Sequence, residues 1–138
     1  MIIIDANNLV LGRLAARAAK LCLMGEKVSI INCEKAVISG NKKQLLEKWR
    51  VRLHLGQPRK GPLYYRAPAP FVRRAVRGML PHKNARGREA FSRLRCFSSA
   101  PKGLEGKGVR IDRADVTKLP NLKYVRIGEL CRLIGAKA

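Results

Sequence analysis

Acid is what this chain has least of. Nine Asp and Glu stand against 30 Lys and Arg, a formal charge of +21 on 138 residues. A charge of that size calls for a polyanionic partner, with nucleic acid first in line. Histidine is nearly absent too, as His54 and His82 alone. A nuclease or RNA-modifying enzyme draws on acids for metal or base chemistry, or on a histidine pair. Here Asp5, Glu34, Asp112 and Asp115 are scattered along the chain, and His82 sits beside Lys83 in a basic turn, where phosphate contact fits better than proton transfer. No serine or cysteine has a recognisable base-bearing context. Neither catalysis nor a small-molecule substrate is expected.

Other absences narrow the field further. Cys22, Cys33, Cys96 and Cys131 lie far apart without a CxxC pair, which argues against a zinc site and reads as small buried thiols in a reducing compartment. Glycine-rich phosphate loops are missing. Gly12 alone near a helix start does not make GxGxxG, and Gly106-Lys107 has neither the preceding strand nor the following Ser or Thr of a P-loop. No cofactor is expected. The start, Met1-Ile2-Ile3-Ile4-Asp5, lacks the features of a signal peptide, and no run approaches a membrane span. The expectation is a cytoplasmic protein with no membrane partner.

What is present is enough apolar sequence, 46% of 138 residues, for one sizeable core but not for two ordinary domains. Ile2-Ile3-Ile4 reads as a strand buried on both faces, and Asn7 or Asn8 as the cap of a helix. That helix buries Leu11, Leu14, Ala15, Ala18 and Cys22, exposes Arg13, Arg17 and Lys20, and ends in a left-handed Gly25. Val28–Ile31 and Ala36–Ile38 read as strands. Ser39-Gly40-Asn41 caps a second helix with Leu45, Leu46, Trp49 and Leu53 inward and Lys43, Glu47, Arg50 and His54 outward. Val109–Asp112 and Leu122–Ile127 alternate as strands, and Gly128–Ile134 closes the chain as a short helix. The order predicts a single α/β domain whose helices cover a mainly parallel sheet. Residues 1–55 and 109–138 form its scaffold, and residues 56–108 its basic loops and helices.

The charge concentrates in that middle part, since residues 51–110 hold 15 Lys and Arg with 2 acids, against 15 and 7 elsewhere. Gly56 to Pro70 carries four prolines, two glycines and no acid, so it is neither helix nor central strand. Arg59, Lys60 and Arg66 surround Tyr64 and Tyr65, pairing phosphate-seeking cations with rings that stack on unpaired bases, a combination suited to RNA. A helix follows in which Phe71, Val72, Ala75, Val76, Met79 and Leu80 share one face and Arg73, Arg74 and Arg77 the other, with Pro70 in its first turn and Gly78 and Pro81 at its end. After the turn with His82 and Lys83, a second helix is predicted from about Ala85 to Phe97. It buries Ala90, Leu94 and Phe97, with Arg86 and Arg93 on a common outer face. These two helices, with Arg88, make one cationic ridge. Arg13 and Arg50 on the earlier helices, and Lys102 and Lys107 in the loop beyond, complete the predicted RNA-binding set.

Three segments carry a family likeness: DANNLVLGRLAARAAKLCLMG at 5–25, VSIINCEKAVISGNK at 28–42 and RRAVRGMLPHKNARGREAFSRL at 73–94. With them the chain resembles the L-thirteen family of large-subunit ribosomal proteins, from first strand to closing helix. GPLYYRAP at 61–68 and YVRIGELCRLIG at 124–135 are more similar to its archaeal branch. The resemblance implies a three-layer α/β/α domain around a four-stranded, mainly parallel sheet, without enzymatic activity. It also implies a structural place in the large ribosomal subunit, binding large-subunit ribosomal RNA beside neighbouring ribosomal proteins and supporting assembly. The residues alone leave a second reading open, that of a free RNA-binding translational regulator.

Overall fold

The sheet grows from its centre. In the computed structural model, which describes residues 1–57 and 59–136, β2 (Val28–Ile31) has all four residues buried. It is flanked in parallel by β1 (Ile2–Asp5) and β4 (Leu94–Cys96), in the order β1-β2-β4. Ile2 lies opposite Val28, and Val28 in turn opposite Leu94. Both flanking strands return to β2 through helices, as parallel pairing requires. β1 is less buried than its run of isoleucines predicts, with Ile4 alone fully enclosed. The cause is its position: beyond β1 lies a single parallel bridge from Val109 to Ile4, and one bridge covers little of an edge. The predicted strand over Val109–Asp112 is reduced to that bridge, and the chain turns at once into a 3₁₀ turn at Asp112–Ala114. Among the described residues there are thus three parallel strands and a separate antiparallel pair, β3 (Val37–Ser39) with β5 (Tyr124–Arg126).

α1 (Leu11–Leu23) buries Leu14, Ala15, Ala18, Ala19 and Cys22, and Gly25 beyond it has φ +97°, as its pattern predicts. Leu11 is only half-buried. The predicted Asn cap is displaced. Asn7 is spent on a turn, its N–H donating to Asp5 Oδ1 at 3.0 Å, and Asn8 is left-handed at φ 56°. The cap is Val10, held by tertiary bonds: its N–H donates to Ala114 O at 2.7 Å, and it bridges to Val37. α2 (Lys42–His54) begins as predicted, with the Asn41 side chain accepting the Lys43 N–H. Leu45, Leu46, Trp49 and Leu53 turn toward the core but stay half-buried.

α3 (Pro68–Gly78) has Pro70 in its first turn as predicted, with Pro68 in the first position, where its missing N–H costs nothing. α4 (Ala85–Ser92) stops well short of Phe97. Leu94, Arg95 and Cys96 alternate inward and outward, and they leave the helix to pair with β2, where Val28 N–H donates to Arg93 O and Phe97 N–H to Ile30 O. The free edge of a buried strand outweighs about one and a half more helical turns, because its polar groups have no water to bond. Leu94 is still buried, in the sheet rather than on a helix, and Phe97 is half-buried. α5 (Ile127–Leu133) follows β5 directly. α1 packs on α3 and α4, and α3 on β4, so the basic middle of the chain supplies Phe71, Val72, Val76, Leu80, Ala90 and Leu94 to the main core. Among the described residues no helix is long and apolar enough to cross a membrane.

Candidate nucleic-acid interface

α3 has two dissimilar sides. Phe71, Val72 and Val76 are buried, and Leu80 just past its end is 4% exposed, while Arg73 and Arg77 face outward. Met79 departs from the predicted apolar face and is 45% exposed, because the helix ends at Gly78 and the chain turns away. Arg74 is half-buried and occupied. Its Nη1 donates to Leu63 O at 2.9 Å, and its guanidinium carbon lies 4.2 Å from the centre of the Tyr64 ring. Tyr64 meets Trp49 edge-on at 6.0 Å, and Trp49 leans on Phe71 at 4.7 Å. One chain of rings therefore ties α2, the proline-rich loop and α3 together, with Arg74 as its clasp. Arg73 lies over Phe91 at 4.6 Å and fastens α3 to α4. Cation–π contacts at partly exposed sites are worth about 0.5–1 kcal/mol each, so these arginines both stiffen the surface and charge it.

The turn after α3 is held by close backbone packing. A side chain added at Gly87 would put its first carbon 2.0 Å from Pro81 O and 2.3 Å from Pro81 C. Only glycine lets the first turn of α4 press against the turn that leads into it. Lys83, Arg86 and Arg88 project to solvent from this hairpin, whereas His82 is half-buried, with Nδ1 3.3 Å from Leu80 O. Arg59, Lys60, Tyr65 and Arg66 are exposed on the neighbouring loop.

Not every predicted cation joins this face. Arg93 is not on a common outer face with Arg86: it caps α4, pairs with Glu89 and donates to Cys22 O. Arg13 donates to Arg113 O at 3.2 Å, and the Arg66 guanidinium lies against Gly135 near the end of α5. Arg50 is exposed on α2. Lys102 and Lys107 belong to the loop that crosses from β4 to Val109, at opposite edges of the sheet. Arg52 is a member the sequence reading missed. It lies over Trp49 at 5.0 Å, and the available signal was its position three residues after that ring on one helix.

The electrostatics are one-sided. From Lys48 to Arg88 there are twelve Lys and Arg and no carboxylate. Among the described residues the ion pairs are Lys42–Glu129, Arg93–Glu89 and Arg110–Asp115, and none uses a cation of that stretch. Two furrows open between these cations and the rings. One, of about 330 Å³, is lined by Trp49, Arg52, Tyr64, Tyr65, Phe71 and Arg74. The other, of about 260 Å³, is lined by Tyr65, Pro70, Arg73, Arg74, Arg77 and Phe91. Among the described residues no three His, Cys, Asp or Glu come together to hold a metal.

An arginine-rich face, drawn from a stretch without carboxylates and carrying the exposed Tyr65 ring on an α/β scaffold, has the chemistry of a polyanion-binding surface. A family model described as "Ribosomal protein L13" matches residues 1–103, and the chain belongs to this family. Similar curated proteins carry the name large ribosomal subunit protein uL13. That of Methanopyrus kandleri is 47% identical over 136 residues, covering 96% of this chain and 86% of its own length. That of Methanococcoides burtonii is 44% identical over 138 residues and 99% of both, and that of Haloarcula marismortui 38% identical over 98% of this chain and 91% of its own.

Proposed function

We propose that this protein is a structural constituent of the large ribosomal subunit, with no catalytic role, and that it binds large-subunit ribosomal RNA and supports subunit assembly. The observation that carries the reading is the unneutralised charge: twelve cations from Lys48 to Arg88 with no carboxylate among them. Such a surface repels itself unless a polyanion covers it. The names of the relatives supply the large subunit as the setting. Arg73, Arg77, Lys83, Arg86 and Arg88 are the phosphate contacts at the centre of the interface, with Arg59, Lys60, Tyr64 and Tyr65 beside them and Arg74 and His82 shaping it. Arg13, Arg50, Arg66, Arg93, Lys102 and Lys107 are peripheral. Neighbouring large-subunit proteins complete the set of partners.

The whole chain acts as one domain, in which residues 56–108 carry the interface and 1–55 with 109–138 support it. The fuller architecture implied by the family, four strands between two helical layers, has support in Val109. Its N–H donates to Ile3 O, and its carbonyl accepts from Asp5 N–H, which is the position a fourth parallel strand would take.

The test is incorporation. Tagged protein is expected to sediment with large subunits in a sucrose gradient, and Arg77→Ala with Arg86→Ala and Arg88→Ala to reduce that fraction. Binding to purified ribosomal RNA is expected to weaken by roughly 10³- to 10⁵-fold between about 50 and 200 mM salt if about six to ten phosphates are neutralised. Protein that stays at the top of the gradient, bound to messenger RNA, would support the regulator reading instead.

A further inference from the structure

Among the described residues Tyr65 is an exposed ring with no aromatic or cation–π partner. Its neighbour Tyr64 is taken up by Trp49 and Arg74, Phe91 by Arg73, and Trp49 by Arg52. Tyr65 is 57% exposed and forms a wall of both furrows. A large ring left to water beside Arg73, Arg74 and Arg77 has no structural task in the fold that these contacts reveal. Those cations are set by contacts of their own, Arg73 on Phe91 and Arg74 on Tyr64 and the Leu63 carbonyl, so the furrow is shaped before any ligand arrives. At about 260 Å³ it falls below the roughly 300–1,000 Å³ of sites that enclose drug-sized molecules. It has room for one flat ring system.

We propose that the furrow between Tyr65, Pro70, Arg77 and Phe91 seats one unpaired RNA base, stacked on the Tyr65 ring, while Arg73 and Arg77 hold the phosphates on either side of it. The proposal rests on the RNA-binding reading above and adds to it what is bound here: a single-stranded nucleotide, not the backbone of a duplex. A duplex keeps its bases stacked inside and offers phosphates and 2′-hydroxyls, for which arginines suffice and an exposed tyrosine adds little. Loops and bulges offer splayed bases, which proteins stack on aromatic rings and guanidinium planes.

The experiment uses the full chain and two probes at fixed salt, a fluorescein-labelled ten-residue oligoadenylate and a mixed-sequence RNA duplex. Stacking of one base is worth a factor of about 5 to 150. Tyr65→Leu is therefore expected to lower oligoadenylate affinity by that factor and duplex affinity by clearly less, and Tyr65→Phe to restore most of the loss. Tyr124→Leu removes an exposed tyrosine on β5, outside the furrow, and is expected to alter neither. Equal losses on both probes, no loss on oligoadenylate, or an equal effect of Tyr124→Leu would each overturn the base seat while leaving the electrostatic interface standing. Wild-type protein that binds neither probe would overturn both.

Discussion

Gly87→Ala tests the packing that presents the cationic hairpin. By helix propensity alone the change is favourable, since alanine in a helix interior is better than glycine by about 0.8–1 kcal/mol. The structure reverses the sign. The new methyl would lie 2.0 Å from Pro81 O, 2.3 Å from Pro81 C and 2.9 Å from His82 N, against ordinary contact at 3.4–4 Å. All three atoms are backbone, so no side chain can swing aside. Either α4 or the turn must retreat, at an overpacking cost of about 1–3 kcal/mol or more. The hydrogen bond from Asn84 N–H to Pro81 O that closes the turn is then at risk, for about another 1 kcal/mol. With the propensity gain subtracted, a net loss of about 1–3 kcal/mol is expected, which lowers Tm by roughly 3–12 °C for a chain of this size. The assay is a circular dichroism melt beside Gly12→Ala. Gly12 lies in α1 with nothing within 4 Å of the added carbon, so its substitution is expected to hold or raise Tm. A Gly87→Ala protein that melts at or above wild type would refute the reasoning.

Other outcomes follow from burial and bonding. Leu80→Ala is expected to cost about 2–5 kcal/mol by chemical denaturation, because Leu80 is 4% exposed, whereas the adjacent Met79→Ala at 45% exposure is expected to stay within about 0.5 kcal/mol; equal costs would contradict the end assigned to α3. Arg77→Ala is expected to weaken RNA binding with little change in Tm, while Arg74→Ala lowers both, since it also removes the Leu63 hydrogen bond and the Tyr64 contact. If the two variants melt alike, Arg74 is not a clasp. Burial pushes the Cys22 thiol up and that of Cys131 up to about 11, and Cys33 is raised by the neighbouring Cys96 thiol and by burial. Peptide mapping after brief iodoacetamide treatment at about pH 8 is expected to find half-buried Cys96 labelled first, and equally fast labelling of Cys131 would show that α5 opens.

Much of this protein was determined by short-range order in its sequence. α1, β2 and α2 lie where periodicity and, for α2, its cap put them, because each is specified by residues within one or two turns of itself: the stripe from Leu14 to Cys22, the apolar run Val28–Ile31, and Asn41 with its bond to Lys43. The location of the charge needed no fold either, since an acid-free stretch stays acid-free however it is folded. What only tertiary structure decided involves partners distant in sequence. Leu94–Cys96 became a strand because β2 offered a free edge 66 residues earlier, as the Val28–Leu94 register records. Val10 displaced the asparagines as a cap because Ala114 and Val37 hold it. The separate tasks of Arg73, Arg74, Arg77 and Arg93 were illegible in sequence for the same reason. Spacing puts an arginine on an outer face, but only the arrival of Tyr64 or the Cys22 carbonyl decides which guanidinium is spent on the fold, while Phe91 fixes Arg73 and leaves it exposed to a polyanion.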